Sequence, residues 1–174
     1  MDRDELGQGL VKAAYLEGDF LLASGRRSRY YFDKYLFETR PELLGAVAQH
    51  LASRVPPEVR RLAGPELGAV ALAAATSLAT GLPSLFVRGA AKAYGTAKRI
   101  EGPFEPGDAV LVLEDVVTSG ASAIEAADLL KESGCRVVRI LAVIDREEGG
   151  RESAKAAGYE LDALFTKSEL ERWL

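Results

Sequence analysis

Val110-Leu111-Val112-Leu113-Glu114-Asp115-Val116-Val117-Thr118-Ser119-Gly120-Ala121-Ser122 decides how this 174-residue chain is read. Its first four residues are an unbroken apolar run, opened by the turn Pro106-Gly107-Asp108. Such a run, without polar alternation, is expected of a strand covered on both faces. Two acids follow, then a turn of hydroxyl residues and glycine, then a helix expected over Ala121 to Ser133 with Gly134 as its stop. The start of a helix offers unpaired N–H groups and the positive end of a dipole, a natural seat for a phosphate. Gly120 lets the backbone come close, and Thr118, Ser119 and Ser122 add hydroxyl donors. Glu114 and Asp115 would repel a phosphate but suit the hydroxyls of a sugar that carries one. Strand, acid pair and turn together point to a ribose 5-phosphate. Taken singly, Thr118 and Ser119 would be ordinary helix-capping residues and the acids a solvated strand end.

Outward from that stretch, apolar strands alternate with helices. Pro41 to Arg54 reads as a helix with Leu43, Leu44, Val47 and Leu51 on one face and Pro41 in its first turn. Arg61 to Ala63 is a short strand before the turn Gly64-Pro65, and Ala69 to Thr80 an alanine-rich helix stopped by Gly81. Ser84 to Val87, Ala109 to Leu113, Val137 to Ile144 and Tyr159 to Phe165 are the remaining strands, and Lys167 to Trp173 a last helix. The pattern predicts an α/β fold, a Rossmann-like parallel sheet flanked by helices, in one domain over 1–174. In such sheets ligands bind outside the carboxyl ends of the strands, so the loops after Ala63, Val87, Leu113 and Ile144 are expected on one edge.

Composition narrows the function. Lys and Arg number 22 against 26 Asp and Glu, a net charge of -4 with a pI near 5.2, which argues against nucleic acid as a partner. The single cysteine, Cys135, allows no internal disulfide and suits a reducing compartment. The charged start Met1-Asp2-Arg3-Asp4-Glu5 is followed by no apolar signal core, and no window reaches the ~18 apolar residues of a membrane span. A cytoplasmic protein without membrane contact is expected. No Gly-x-Gly-x-x-Gly follows a strand, which disfavours a dinucleotide binder. Cys135 and the mid-helix His50 have no catalytic or metal-ligating partners in the pattern and read as structural.

The thirteen-residue run from Val110 to Ser122 resembles the signature of type I phosphoribosyltransferases, a strand ending in two acids and then Thr-Ser-Gly, and within them nearly all of the chain is similar to the orotate-specific branch. Phe20-Leu21-Leu22-Ala23-Ser24-Gly25-Arg26-Arg27-Ser28 and Tyr30-Tyr31-Phe32-Asp33 resemble that branch's N-terminal motif, which implies that residues 1–37 contribute a hood over the base. On the residues alone, Tyr30 and Phe32 alternate into the core of a strand. Gly64-Pro65-Glu66-Leu67-Gly68 resembles the pyrophosphate-side loop. Arg88-Gly89-Ala90-Ala91-Lys92-Ala93-Tyr94-Gly95-Thr96 resembles a mobile loop that closes over the reaction centre. It departs from the common pattern twice: Gly89 follows Arg88 where lysine is usual, and Tyr94 stands where histidine is often found. Asp145-Arg146-Glu147-Glu148-Gly149-Gly150 resembles the segment that recognises orotate.

The resemblance implies transfer of the 5-phosphoribosyl group of phosphoribosyl pyrophosphate (PRPP) to orotate. It implies Lys92, Asp115 and Glu114 as catalytic residues. PRPP would be held by Arg88, Lys92, Tyr94, Glu114, Asp115, Val116, Val117, Thr118, Ser119, Gly120, Ala121 and Ser122, and orotate by Thr118, Arg146, Tyr31 and Phe32. Mg2+ would be held mainly by substrate oxygens, with no dedicated protein cage. A homodimer with sites shared across its interface is implied too. The alternatives are a purine-type enzyme, against which the Ser-Gly-Arg and Asp-Arg-Glu-Glu-Gly segments weigh, and a non-catalytic regulator on the same fold. If the loop serves the partner's site, mixing Lys92→Ala chains with chains disabled by Asp115→Asn restores part of the lost activity. Heterodimers confirmed by mass that stay inactive would reject the sharing.

Overall fold

The computed structural model describes residues 1–21, 25, 27–90 and 98–174. In chain order the elements are α1 (Arg3–Ala14), β1 (Tyr15–Leu21), β2 (Arg27–Phe32), α2 (Tyr35–Glu38), α3 (Pro41–Ala52), β3 (Arg61–Pro65), α4 (Gly68–Thr80), β4 (Ser84–Val87), β5 (Ile100–Glu101), β6 (Ala109–Val117), α5 (Ala121–Glu132), β7 (Arg136–Asp145), α6 (Gly150–Ala156), β8 (Leu161–Thr166) and α7 (Lys167–Leu170). A 3-10 turn, Glu171–Trp173, follows α7, where one continuous helix was expected.

The sheet runs β5-β4-β3-β6-β7-β8. All neighbours pair in parallel except β4 with β5. Its middle strands are apolar on both sides for a visible reason. Leu111 and Leu113 of β6, with Leu141 and Val143 of β7, join the core beneath α1, α3 and α4. Val110 and Val112, with Ile140 and Ala142, face the opposite core with Ala123, Ala127 and Leu130 of α5. Two faces to fill and side chains that alternate between them leave no polar positions in residues 109–113 of β6 and 140–144 of β7.

The helices start where local chemistry favours them. Asp2 and Glu5 form a reciprocal capping box at the head of α1, each side chain accepting the other's backbone N–H at 2.8 Å. Pro41 sits in the first turn of α3, and α4 stops at Gly81, whose φ is 75°. Gly64 lets α4 lie close on β3: a Cβ there would collide with the Ala69 carbonyl.

β1 and β2 form a separate antiparallel hairpin, in register Tyr15↔Phe32 and Leu21↔Arg27, with an irregularity between Glu17 and Phe20. The hairpin is tied back to the domain by Phe32, whose ring packs 6.4 Å from that of buried Phe37 in α2.

β6 extends past Leu113, the expected end, to Val117, because its ladder with β7 continues to Val117↔Asp145. Glu114 and Asp115 therefore lie inside the strand rather than beyond it. The loops after β3, β4, β6 and β7 line one edge, as the alternating pattern predicted. Strand order reverses between β3 and β6, which opens a crevice at the carboxyl ends of those two strands.

The close approach at Gly64 is testable by Gly64→Ala. Forcing a methyl against a backbone carbonyl costs about 3 kcal/mol, a fall of roughly 6–12 °C in Tm for a chain of this size. A thermal melt unchanged from the parent would contradict the packing described.

Candidate active site

Two adjacent parallel strands, β6 and β7, build the centre of the site. Thr118 and Ser119 follow β6 and are exposed, and Gly120, with φ 80°, leads into α5. No side chain caps the start of α5, so its leading N–H groups remain open toward the turn. A second glycine shapes the turn from outside. A Cβ at Gly150 would collide with Val117 and stand 2.8 Å from the Thr118 carbonyl. The glycine pair after Arg146 thus has a packing reason that spacing alone did not reveal.

The acids behind this turn are nearly enclosed, Asp115 at 1% exposure and Glu114 at 6%. Val116 N–H donates to Asp115 Oδ1 at 2.5 Å, and Asp115 N–H donates to Glu114 Oε1 at 3.1 Å. The Lys34 ammonium, at the head of α2, stands 2.8 Å from Asp115 Oδ2. Burial alone would lower the pKa of Lys34; its bond and attraction to Asp115 outweigh that and raise it. Burial, then the neighbouring Asp115 charge, pushes the Glu114 carboxyl up to about 8. Glu38 of α2 reaches the same place: a Cβ on Gly68 would collide with Asp115 Oδ2 and lie 2.8 Å from Glu38 Oε1. Neither Lys34 nor Glu38 was marked by the sequence reading. Both sit in a short polar stretch that looks like solvated helix until α2 is seen against β6.

Arg146, at the end of β7, is 9% exposed, and its backbone N–H donates to the Val117 carbonyl at 2.9 Å. Its guanidinium pairs with Glu148 at 2.8 Å, not with Glu147, while its Nε is buried without a hydrogen-bond partner. Glu147 instead accepts from the backbone and hydroxyl of Ser168. The guanidinium lies 5.6 Å from the centre of the Tyr30 ring, which stacks on Tyr15 at 5.6 Å and 8°. Of the two hairpin residues expected at the base, Phe32 is buried against Phe37. Tyr31, on the opposite face of the strand from Tyr30 and Phe32, packs its ring 5.6 Å from that of Phe20.

The other side of the crevice holds Glu66, Arg88 and Gly89. Gly89 N–H donates to Glu66 Oε1 at 2.7 Å, and a Cβ at that position would stand 3.3 Å from the same oxygen. Arg99 bonds the carbonyls of Arg88 and Gly89 at 3.2 and 3.0 Å and Glu125 at 2.7 Å, tying the loop's root to α5. Arg88 Nε is buried without a partner. Lys92 and Tyr94, like Ser24 and Arg26, lie outside the described residues. His50 Nε2 lies 3.2 Å from the Met1 carbonyl, and Cys135 is buried beside the start of β7, both away from this crevice. Among the described residues, no helix is long and apolar enough to cross a membrane.

The site therefore pairs an uncapped helix start with enclosed acids and flanks them with arginines that follow β4 and β7. Comparison with known proteins agrees with that geometry. Residues 45–162 match the phosphoribosyl transferase domain model. An orotate phosphoribosyltransferase of Halobacterium salinarum is 50% identical over 168 residues, 96% of this chain and 95% of that protein. A solved orotate phosphoribosyltransferase from Aeropyrum pernix superposes with a TM-score of 0.84 at 31% identity, covering 96% of each chain. The Mycobacterium tuberculosis enzyme solved with PRPP has a TM-score of 0.79 at 29% identity, covering 98% of this chain and 99% of that one.

Proposed function

The chain belongs to the phosphoribosyl transferase family, and from that premise we propose that it transfers the 5-phosphoribosyl group of PRPP to orotate, releasing pyrophosphate and orotidine 5'-phosphate. The observation that carries this reading is the juxtaposition at the ends of β6 and β7. An open phosphate turn, an enclosed acid pair and a nearly buried arginine with an unpartnered Nε stand side by side there. The relatives of known specificity support the choice of base.

Residues 118–122 would seat the 5'-phosphate through backbone N–H groups and hydroxyls. Glu114 and Asp115 would accept the ribose hydroxyls, which fixes the sugar while its anomeric carbon passes from pyrophosphate to the base nitrogen. That displacement goes through an oxocarbenium-like state, so it needs positioning and leaving-group stabilisation rather than a protein nucleophile. Arg88 and Lys92 would neutralise pyrophosphate as it departs, and Arg146 would meet the orotate carboxylate. The β1–β2 hairpin would act as the hood, and loop closure from a partner subunit of a homodimer would exclude water.

Mg2+ fits the donor set as a substrate-borne ion. The hard oxygens of Glu114 and Asp115 are the protein ligands at hand, and the place already holds a cation, the Lys34 ammonium 2.8 Å from Asp115 Oδ2. Bound there, it would stabilise negative charge on the pyrophosphate. A reducing cytoplasmic setting suits a chain with one buried, unpaired cysteine.

The test is direct. Incubated with PRPP, Mg2+ and single bases, the protein should yield nucleotide and pyrophosphate from orotate and little from adenine, guanine or hypoxanthine. Turnover of a purine with none of orotate would assign it to the purine-type enzymes. No turnover of any base by the folded protein would leave the regulator reading.

A further inference from the structure

The turn that carries Arg146 is fixed almost residue by residue. Asp145, buried at the end of β7, accepts the Glu147 N–H on Oδ1 at 2.8 Å and the Arg151 Nε on Oδ2 at 2.7 Å. The Arg146 N–H is held by the Val117 carbonyl. Glu147 has a φ of 58° and is, among the described residues, the one non-glycine with a positive φ. Such a residue stays in that region only where its surroundings over-determine it. Here they do. The Ser168 N–H, in the first turn of α7, and the Ser168 hydroxyl both donate to Glu147 Oε2, at 2.8 and 2.5 Å. Gly149, with φ 93°, and Gly150, set against Val117 and the Thr118 carbonyl, complete the turn.

Three acids surround one arginine in Asp145-Arg146-Glu147-Glu148, and the fold gives each a different partner. Asp145 takes Arg151, Glu147 takes Ser168, and Glu148 Oε1 stands 2.8 Å from a terminal nitrogen of the Arg146 guanidinium. A charge as enclosed as that of Arg146 needs a counter-ion, and Glu148 supplies it from within the same turn. The Tyr30 ring, 5.6 Å away, fixes the guanidinium from another side. The ion pair engages one of three nitrogens and Nε has no partner, so donors remain for a base. We propose that Glu148 is a positioning residue for base recognition: its carboxylate holds the Arg146 guanidinium beside Tyr30 in the orientation that meets the base, and Ser168 of α7, acting through Glu147, holds Glu148 in place. The inference rests on the reading of Arg146 as the contact to the base.

Electrostatics agree with the brace. The two bonds from Ser168, helped by the Lys167 charge, hold the Glu147 carboxyl below its ordinary value, so it is an ionised acceptor committed to α7. The left-handed step at Glu147 thus sends one acid to α7 and the next back to Arg146. Freed of Glu148, the long arginine side chain would regain rotamers that must be frozen again whenever a base binds. The loss therefore belongs to affinity for the base. Affinity for PRPP and the rate of the displacement, which depend on the other side of the crevice, should be spared.

Glu148→Ala, Glu148→Gln, Ser168→Ala, the double variant of Glu148→Ala with Ser168→Ala, and Arg146→Ala are compared with wild type. The readouts are KM for orotate, KM for PRPP and kcat, with folding checked by circular dichroism. Glu148→Ala should raise the KM for orotate about tenfold and leave kcat and the KM for PRPP within about twofold. Glu148→Gln, which can still accept from the guanidinium, should recover part of that loss. Ser168→Ala keeps the backbone bond to Glu147 and should raise the KM for orotate only about threefold. The double variant should be no worse than Glu148→Ala alone, because Ser168 acts through Glu148. The inference is overturned by equal rises in KM for both substrates, or by effects of Glu148→Ala and Ser168→Ala that multiply. It is overturned equally by an unchanged or lowered KM for orotate in Glu148→Ala, the lowered value marking Glu148 as a competitor of the base. Arg146→Ala separates this inference from the reading beneath it. An unchanged KM for orotate in that variant refutes the base contact itself, whereas a raised one beside an unchanged Glu148→Ala refutes the positioning alone.

Discussion

A carboxylate at 1% exposure has no water to stabilise it, so Asp115 must be held by its neighbours. Much of the site's architecture answers that need. The Val116 N–H and the Lys34 ammonium approach one oxygen each. Gly68 leaves the space in which the carboxyls of β6 and α2 meet. The enclosure makes the acid pair a poor place for bulk water, which suits the role proposed for it toward the hydroxyls of a sugar whose phosphate would sit on the next turn. Charge in such a place interacts more strongly than in solvent, and a substrate that brings its own cation is favoured there.

Strand order supplies the rest. The reversal between β3 and β6 sets the phosphate turn on one side of a crevice and Glu66, Arg88 and Gly89 on the other. On the function proposed above, a substrate with a phosphate at one end and a pyrophosphate at the other would span that crevice, with its sugar over the acids. At Gly89, where the related loops commonly carry lysine, the backbone N–H is spent on Glu66, and Arg99 braces the loop root from behind. With no cation at that position, the proposed neutralisation of the leaving group falls to Arg88 and Lys92.

The parallel core was legible because residues 109–113 of β6 and 140–144 of β7 are buried on both faces and carry no polar side chain to confuse the period. The strand, turn and helix of residues 110–122 were legible because they are contiguous. Other parts were hidden for physical reasons. α1 begins Arg3-Asp4-Glu5 and passed for a charged terminus, although Asp2 and Glu5 spell a capping box. β1 carries Gly18 and an irregular ladder, which blurs the alternation of a strand. β6 outran its apolar run because pairing with β7, not hydrophobicity, sets its end. Glu38 and Lys34 were invisible because their meaning depends on residues of β6 and α4 far along the chain. The expected placements of Lys92 and Tyr94 fall outside the described residues.

The central claim is that residues 114–122 form a ribose 5-phosphate site at the end of β6. The measurement that meets it head-on is a crystal structure of the protein with PRPP and Mg2+. The account predicts the 5'-phosphate on the amides and hydroxyls of residues 118–122, with the ribose hydroxyls within hydrogen-bonding distance of Glu114 and Asp115. A phosphate seated elsewhere, with the acid pair still closed by Lys34 and untouched by the sugar, would contradict it.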